Sequence, residues 1–184
     1  MANAHGSITS LNFAPNRDYI LASTGLPDHS LKFWDLRYSG MKKRTECTAD
    51  GPPAAKGFST SIFTHDESLI YALGYADDII HRYECGSLQY IDGGIKESEF
   101  RSRSFYIEMD ISEDDDYILL GNTNRSLEDG SVSFVRFNLH THSSEIGELA
   151  HSDSITGVTF LRDEREFATV SLDGFIKKWK EDDQ

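Results

Sequence analysis

The stretch SITSLNF, Ser7–Phe13, recurs near the other end of the chain as SITGVTF, Ser154–Phe160, with four of seven positions identical. Each copy follows a histidine, His5 or His151, and leads through a polar turn into a second apolar run, Tyr19–Ala22 or Glu166–Thr169. A turn aspartate comes next, Asp28 or Asp173, and six residues beyond it a tryptophan, Trp34 or Trp179. A repeat of this kind governs how everything between its copies is read. In the middle of the chain Asp77 stands six residues before Tyr83, and Asp129 six before Val135. The anchors at 34, 83, 135 and 179 are then 49, 52 and 44 residues apart.

A period near 45 with several short strands per unit points to an all-β fold, a β-propeller of WD repeats. Phe105, Ile107, Met109 and Ile111 alternate with polar neighbours, the period of two of a strand. No run of ten or more residues has helical periodicity with caps, although Lys96 to Arg103 has room for one helical turn. Strands are expected near 7–13, 19–24, 30–35 and 43–48; 57–63, 68–73, 79–84 and 87–91; 104–111, 117–121, 131–137 and 145–149; and 154–160, 166–170 and 174–180. These 15 strands fall in repeats at about 5–50, 56–92, 100–150 and 151–184 of one partial propeller domain, 1–184. The last blade lacks its outer strand. Because such rings commonly have seven blades, the chain reads as the last four blades of a larger ring.

Bulk composition limits the function classes. The chain has 184 residues, 38% hydrophobic, which supports a sizeable core. Its net charge of -13 argues against direct binding to nucleic acid or anionic membranes, where cations must face phosphates. No run approaches the ~20 apolar residues of a membrane helix. Two cysteines, Cys47 and Cys85, without a CxxC pair, fit a reducing compartment, cytosol or nucleus.

In WD repeats the starting histidine, a second-strand hydroxyl, the turn aspartate and the third-strand tryptophan form a hydrogen-bonded chain. The first repeat supplies His5, Ser23 or Thr24, Asp28 and Trp34; the last supplies His151, Thr169, Asp173 and Trp179. The middle repeats keep the aspartate, lack the histidine and tryptophan, and are expected to rely on apolar packing. Ser, His and Asp in one unit also resemble a hydrolase triad. Recurrence at matching offsets, and the absence of a GxSxG elbow, favour the structural role. No cofactor or small-molecule substrate is expected, and the chain reads as non-enzymatic.

The first repeat ends in Trp34-Asp35-Leu36-Arg37, and no other repeat keeps an aspartate and an arginine together at this place. This W-D-x-R signature resembles that of substrate receptors of cullin-RING ubiquitin ligases, which present it to the damaged-DNA-binding adaptor, a large propeller. Ser23-Thr24-Gly25-Leu26-Pro27-Asp28, Tyr38 after the signature, and Ser104-Phe105-Tyr106-Ile107 leading through Ser112-Glu113-Asp114-Asp115 to Tyr117-Ile118-Leu119 are similar to blades of the denticleless family. The resemblance implies a nuclear receptor that delivers replication-licensing factors and clients bound to the DNA sliding clamp for ubiquitination. It makes Trp34, Asp35 and Arg37 the adaptor-binding residues. A general WD scaffold of an RNA-processing or chromatin complex, with a structural Arg37, is the alternative.

Three further clusters have simpler readings. His140-Thr141-His142 lacks a third ligand at metal spacing and reads as a polar loop. Glu113-Asp114-Asp115-Asp116 lacks the alternating ligands of a calcium loop and reads as a solvated turn. Lys42-Lys43-Arg44 is a small basic edge, which the resemblance would turn toward a client degron.

Overall fold

The computed structural model describes residues 6–26, 30–38, 47–48, 56–126, 129–147, 150–162 and 165–180. The chain forms two compact units, Met1–Lys96 and Glu97–Gln184, each holding two antiparallel sheets.

In the first unit, β1 (Ser7–Ala14), β2 (Arg17–Leu26), β3 (Leu31–Asp35) and β4 (Cys47–Thr48) follow one another across one sheet. β5 (Phe58–Phe63), β6 (Leu69–Gly74), β7 (Ile79–Glu84) and β8 (Tyr90–Lys96) do the same in the next. Alternation directs one face of each sheet at the other, so Ala22, Leu31 and Phe33 meet Phe58, Phe63, Ile70 and Ala72. Phe33 and Phe63 touch edge to face at 5.6 Å. Polar ties fix the register: Thr9 Oγ1 donates to the Phe58 carbonyl at 2.6 Å, Asn12 Nδ2 to that of Ser61 at 2.6 Å, and Arg17 Nε to Glu67 at 2.5 Å.

In the second unit, β9 (Met109–Ile111), β10 (Tyr117–Leu120), β11 (Val135–Asn138) and β12 (Ser144–Ile146) make a four-stranded sheet. β13 (Ile155–Phe160), β14 (Glu166–Ser171) and β15 (Ile176–Lys180) make a three-stranded one. Leu119, Val132, Phe134, Ile155, Val158 and Phe167 form the core between them. Asp110 Oδ2 accepts the Phe160 N–H at 2.8 Å.

The repeat is visible in backbone detail. β1, β5 and β13 each carry one extra residue, Thr9, Ser59 and Thr156, at the same place in the pairing with the next strand. The turn aspartates Asp77, Asp129 and Asp173 each accept the backbone N–H two residues on, at 3.1, 3.0 and 3.0 Å, which closes the turn before the third strand.

Several expected boundaries move. Only Met109–Ile111 of the 104–111 run is strand: the Ser104 hydroxyl accepts the Tyr106 N–H and turns the chain, leaving Phe105 and Tyr106 exposed. The 131–137 strand begins only at Val135, because Val132 exchanges both backbone hydrogen bonds with His151, at 2.7 and 3.0 Å. The fourth strand expected at 87–91 runs from Tyr90 to Lys96. Lys96 to Arg103 holds a turn and no helix.

Among the described residues two apolar surfaces stand open. Ile8, Leu11 and Phe13 share one face of β1, because their partners Gly25, Ser23 and Leu21 alternate on β2, and all three are exposed. Their counterparts Ile155, Val158 and Phe160 pack into the core of the second unit. Val170 and Ile176, opposite each other on β14 and β15, are exposed, whereas their counterparts Thr24 and Leu31 are buried. Bare faces of this kind drive association. The isolated chain is expected to associate with rising concentration in sedimentation, and Phe13→Glu to shift it toward the 20.7 kDa monomer. Because Phe13 is exposed, the melting temperature should change little.

Candidate functional site

The fourth sheet contains a complete polar chain. Trp179 Nε1 donates to Thr169 Oγ1 at 2.9 Å, Thr169 Oγ1 meets His151 Nε2 at 2.8 Å, and His151 Nδ1 meets Asp173 Oδ2 at 2.9 Å. An indole N–H only donates and a carboxylate only accepts, so with a neutral imidazole the protons run in one order from end to end. The hydroxyl accepts from tryptophan and donates to Nε2, and the Nδ1–H points at aspartate. The Asp173 carboxylate also accepts the N–H groups of Ser152 and Phe175, each at 3.0 Å. Burial acts to raise the Asp173 pKa, but these donors and His151 outweigh it and hold the carboxyl well below its usual range. Thr169 is 0% exposed and already engaged on both sides, so its hydroxyl is a brace and has no route to a substrate.

The first sheet repeats one end of this chain. Trp34 Nε1 donates to Ser23 Oγ at 2.8 Å, so Ser23 is the hydroxyl in Thr169's place. Thr24 instead meets the hydroxyls of Thr9 and Ser10. His5 and Asp28 lie outside the described residues.

In the middle sheets, cross-strand register puts Tyr83 opposite Ile70 and Phe137 opposite Ile118, as Trp179 stands opposite Phe167. The residue at the tryptophan position of the third repeat is therefore Phe137. Val135 falls two residues short, because the pairing of Val132 with His151 lengthens the path from Asp129 to the strand. Ala72 and Leu120 stand at the hydroxyl's place, so apolar packing replaces the polar chain there.

The second sheet nevertheless has a histidine that the repeat frame passes over. His81, on β7 and 4% exposed, meets Asp77 Oδ2 through Nε2 at 3.0 Å and touches Phe58 edge to face at 5.4 Å. Its signal in sequence is a histidine four residues after the turn aspartate, on the third strand and not at the repeat start. Gly74 is required beside it, since a side chain there would collide with the Asp77 carboxylate.

At the end of β3 the chain enters a single 3-10 turn, Leu36–Tyr38. Trp34 is buried within the sheet, and Arg37 is half exposed, its side chain 53% accessible. Asp35 grips Arg37 with both oxygens: Nη2 reaches Oδ2 at 2.6 Å, Nε reaches Oδ1 at 3.0 Å, and the Arg37 backbone N–H also donates to Oδ1 at 3.0 Å. The guanidinium lies 3.8 Å over the Tyr19 ring. Hydrogen bonding from Arg37 holds the Asp35 carboxyl below its ordinary value. Beside Asp35 a cleft of about 200 Å³ opens between Phe33, Arg17, Cys85 and Leu88. Burial pushes the Cys85 thiol up, against the pull of Arg17, so it stays protonated and unreactive at neutral pH.

Among the described residues no cluster of three or more His, Cys, Asp or Glu could hold a metal, and no helix is long and apolar enough to cross a membrane. His140 Nε2 meets Asp116 Oδ1 at 2.5 Å, which joins one residue from each of two candidate loops in an exposed hydrogen bond. Lys42-Lys43-Arg44 lies outside the described residues.

Comparison with known proteins agrees with this geometry. The family described as "WD domain, G-beta repeat" matches residues 2–35 and 139–180, the segments that hold the two tryptophans. The chain is 26% identical over 168 residues to the Denticleless protein homolog of Mus musculus, covering 87% of this chain and 22% of that protein. It is 26% identical over 183 residues to the Cell division cycle protein cdt2 of Schizosaccharomyces pombe, covering 94% of this chain and 36% of that protein. It thus spans well under half the length of either relative. Two segments of the chain thus match WD repeats, its all-β antiparallel sheets are consistent with part of a WD propeller, and it is similar along most of its length to two denticleless-type proteins.

Two measurements test the polar chain. Thr169→Val keeps the shape but leaves the Trp179 N–H and His151 Nε2 without partners. It should cost about 2–4 kcal/mol in denaturant unfolding. Asp173 has a carboxyl pKa lowered by folding, so its stabilisation is present above the unfolded value and is lost as pH falls below about 4. The acid limb of a stability–pH curve should be flatter in Asp173→Asn than in the parent chain.

Proposed function

We propose that the chain is a non-enzymatic interaction scaffold, the part of a substrate receptor that links clients to a cullin-RING ubiquitin ligase. In this reading Trp34-Asp35-Leu36-Arg37 meets the adaptor propeller, and the site of action is the nucleus. The clients are replication factors, including those carried on the sliding clamp. The observation that carries it is Arg37: a cation held in one orientation by Asp35 and Tyr19, with half of its side chain open to a partner. A guanidinium fixed in this way loses little further freedom on binding a carbonyl or carboxylate. Similarity to denticleless-type proteins over most of the chain supports the same reading. Trp34 contributes indirectly, as the buried residue that anchors the strand from which Asp35 and Arg37 project. The repeat boundaries at about 5–50, 56–92, 100–150 and 151–184 belong to this proposal.

One observation favours the alternative, a WD scaffold of another complex. Arg37 Nε and Nη2 are already bonded to Asp35, which is also what a purely structural arginine would show. The two readings separate in one experiment on the full-length protein: adaptor capture beside a melting curve for Arg37→Ala. A charge-assisted hydrogen bond is worth about 1.5–3 kcal/mol, so a receptor should lose roughly ten- to a hundredfold in adaptor affinity with its melting temperature nearly unchanged. Retained adaptor binding with lowered stability would make Arg37 structural and leave the general scaffold.

A further inference from the structure

Between Arg101 and Glu108 the second unit makes an excursion that is tied down at both ends. The Arg101 N–H donates to Asn122 Oδ1 at 3.0 Å, and its carbonyl accepts the Thr123 N–H at 3.1 Å and the Thr123 hydroxyl at 2.9 Å. At the far end the Glu108 N–H donates to the Thr156 carbonyl at 2.8 Å, and the Glu108 carbonyl accepts the Gly121 N–H at 3.3 Å. Ser102 and Ile107, 0% and 1% exposed, bury the two feet of the excursion. The four residues between them stand out: Ser104 is partly exposed, and Arg103, Phe105 and Tyr106 are exposed. At the apex Ser104 Oγ accepts the Tyr106 N–H at 3.2 Å. The ends are thus fixed while the apex is held across by a side chain that can turn away.

The exposed hydroxyl stands in a particular company. The segment reads Arg101-Ser102-Arg103-Ser104-Phe105, so Ser104 has an arginine three residues before it, another one residue before it, and an aromatic residue after it. No other serine or threonine of the chain has an arginine three residues before it. Arginine-directed protein kinases select a serine by this pattern. Carboxylates of the kinase cleft take the guanidinium at the third position before the serine, and an apolar surface takes the residue after it. Phe105 is open to such a surface. Arg101 Nη1 rests on the Ser98 and Phe100 carbonyls, at 2.8 and 2.6 Å. Carboxylates are stronger acceptors than these carbonyls, so the exchange favours the kinase.

We propose that Ser104 is a phosphorylation site for an arginine-directed serine/threonine kinase that uses Mg-ATP. The γ-phosphoryl group passes to Ser104 Oγ: its bond to the bridging oxygen of ADP breaks, an Oγ–P bond forms, and the hydroxyl proton goes to the catalytic aspartate of the kinase. The product carries a charge of about -1.5 to -2 at neutral pH in place of a neutral hydroxyl. That charge offsets Arg101 and Arg103 and stands beside two exposed aromatic side chains, Phe105 and Tyr106. The site lies in the second unit and does not depend on the role of Arg37.

The test incubates the purified chain with Mg-ATP and the catalytic domain of a calmodulin-dependent protein kinase, beside a synthetic peptide of residues 98–109. One phosphate per chain is expected, located at Ser104 by fragmentation mass spectrometry. Ser104→Ala should take up none and keep the parent's melting temperature, since the side chain lies outside the core. Arg101→Ala should slow the initial rate on the order of tenfold, in the chain and also in the peptide, where folding plays no part. Absence of phosphate from Ser104 in the folded chain, even where the peptide takes it up, would overturn the proposal. So would phosphate at Thr45, behind Lys42-Lys43-Arg44, in place of Ser104, or a rate indifferent to Arg101→Ala in the peptide.

Discussion

The structure depends on a hydrogen-bonded chain whose two ends cannot exchange roles. The Trp179 indole has only a proton to give and Asp173 only lone pairs to offer, so Thr169 and a neutral His151 between them are left with one arrangement of protons. The chain ties the start of the repeat, through His151, to its second and third strands and to the turn that joins them. His151 also exchanges backbone hydrogen bonds with Val132, which connects the same brace to the preceding repeat. A buried polar group that satisfies all its partners specifies one arrangement more sharply than an apolar contact of equal area.

The middle repeats do without this brace. With Ala72 and Leu120 where the hydroxyl would stand, no indole N–H needs an acceptor, and Tyr83 and Phe137 occupy the tryptophan positions. Aromatic contacts replace the polar chain: Phe58 against Tyr83 at 6.4 Å and Tyr83 against Tyr90 at 5.5 Å. The His81–Asp77 pair keeps a fragment of the polar device in the second sheet, reached from a different strand. The repeats therefore share backbone geometry more closely than they share residues, which explains why the family match falls on the outer two.

Much of this was legible before any coordinates. The duplicated heptad, the aspartate-to-tryptophan spacing and the alternation of short apolar runs give the number of strands in each repeat and their rough positions. What sequence missed has local causes. Val135 matches the tryptophans in spacing because it lies six residues after Asp129, and nothing in the composition of Ser131-Val132-Ser133 announces that Val132 pairs outside its own sheet. The alternation from Phe105 to Ile111 reads as one strand, yet the Ser104 hydroxyl takes a turn bond that ends it early. His81 was invisible to a frame that looked for histidine at the repeat start. At the end of β3 the Trp34-Asp35-Leu36-Arg37 signature is readable, but the Tyr19 ring under the guanidinium is a contact from β2 that no spacing reveals.

The extra residue in β1, β5 and β13 has a consequence for how such a chain changes over time. Ile8, Leu11 and Phe13 share a face only because Thr9 adds one step between the first two, and Ser59 and Thr156 do the same in their strands. These strands therefore carry a phase, much as a coding sequence does. Loss of a single residue there reverses which side chains on one flank of the deletion look inward, while loss of two leaves the phase intact. Length variation among descendants of this chain should therefore collect in the turns, and where it enters a first strand it should come in steps of two.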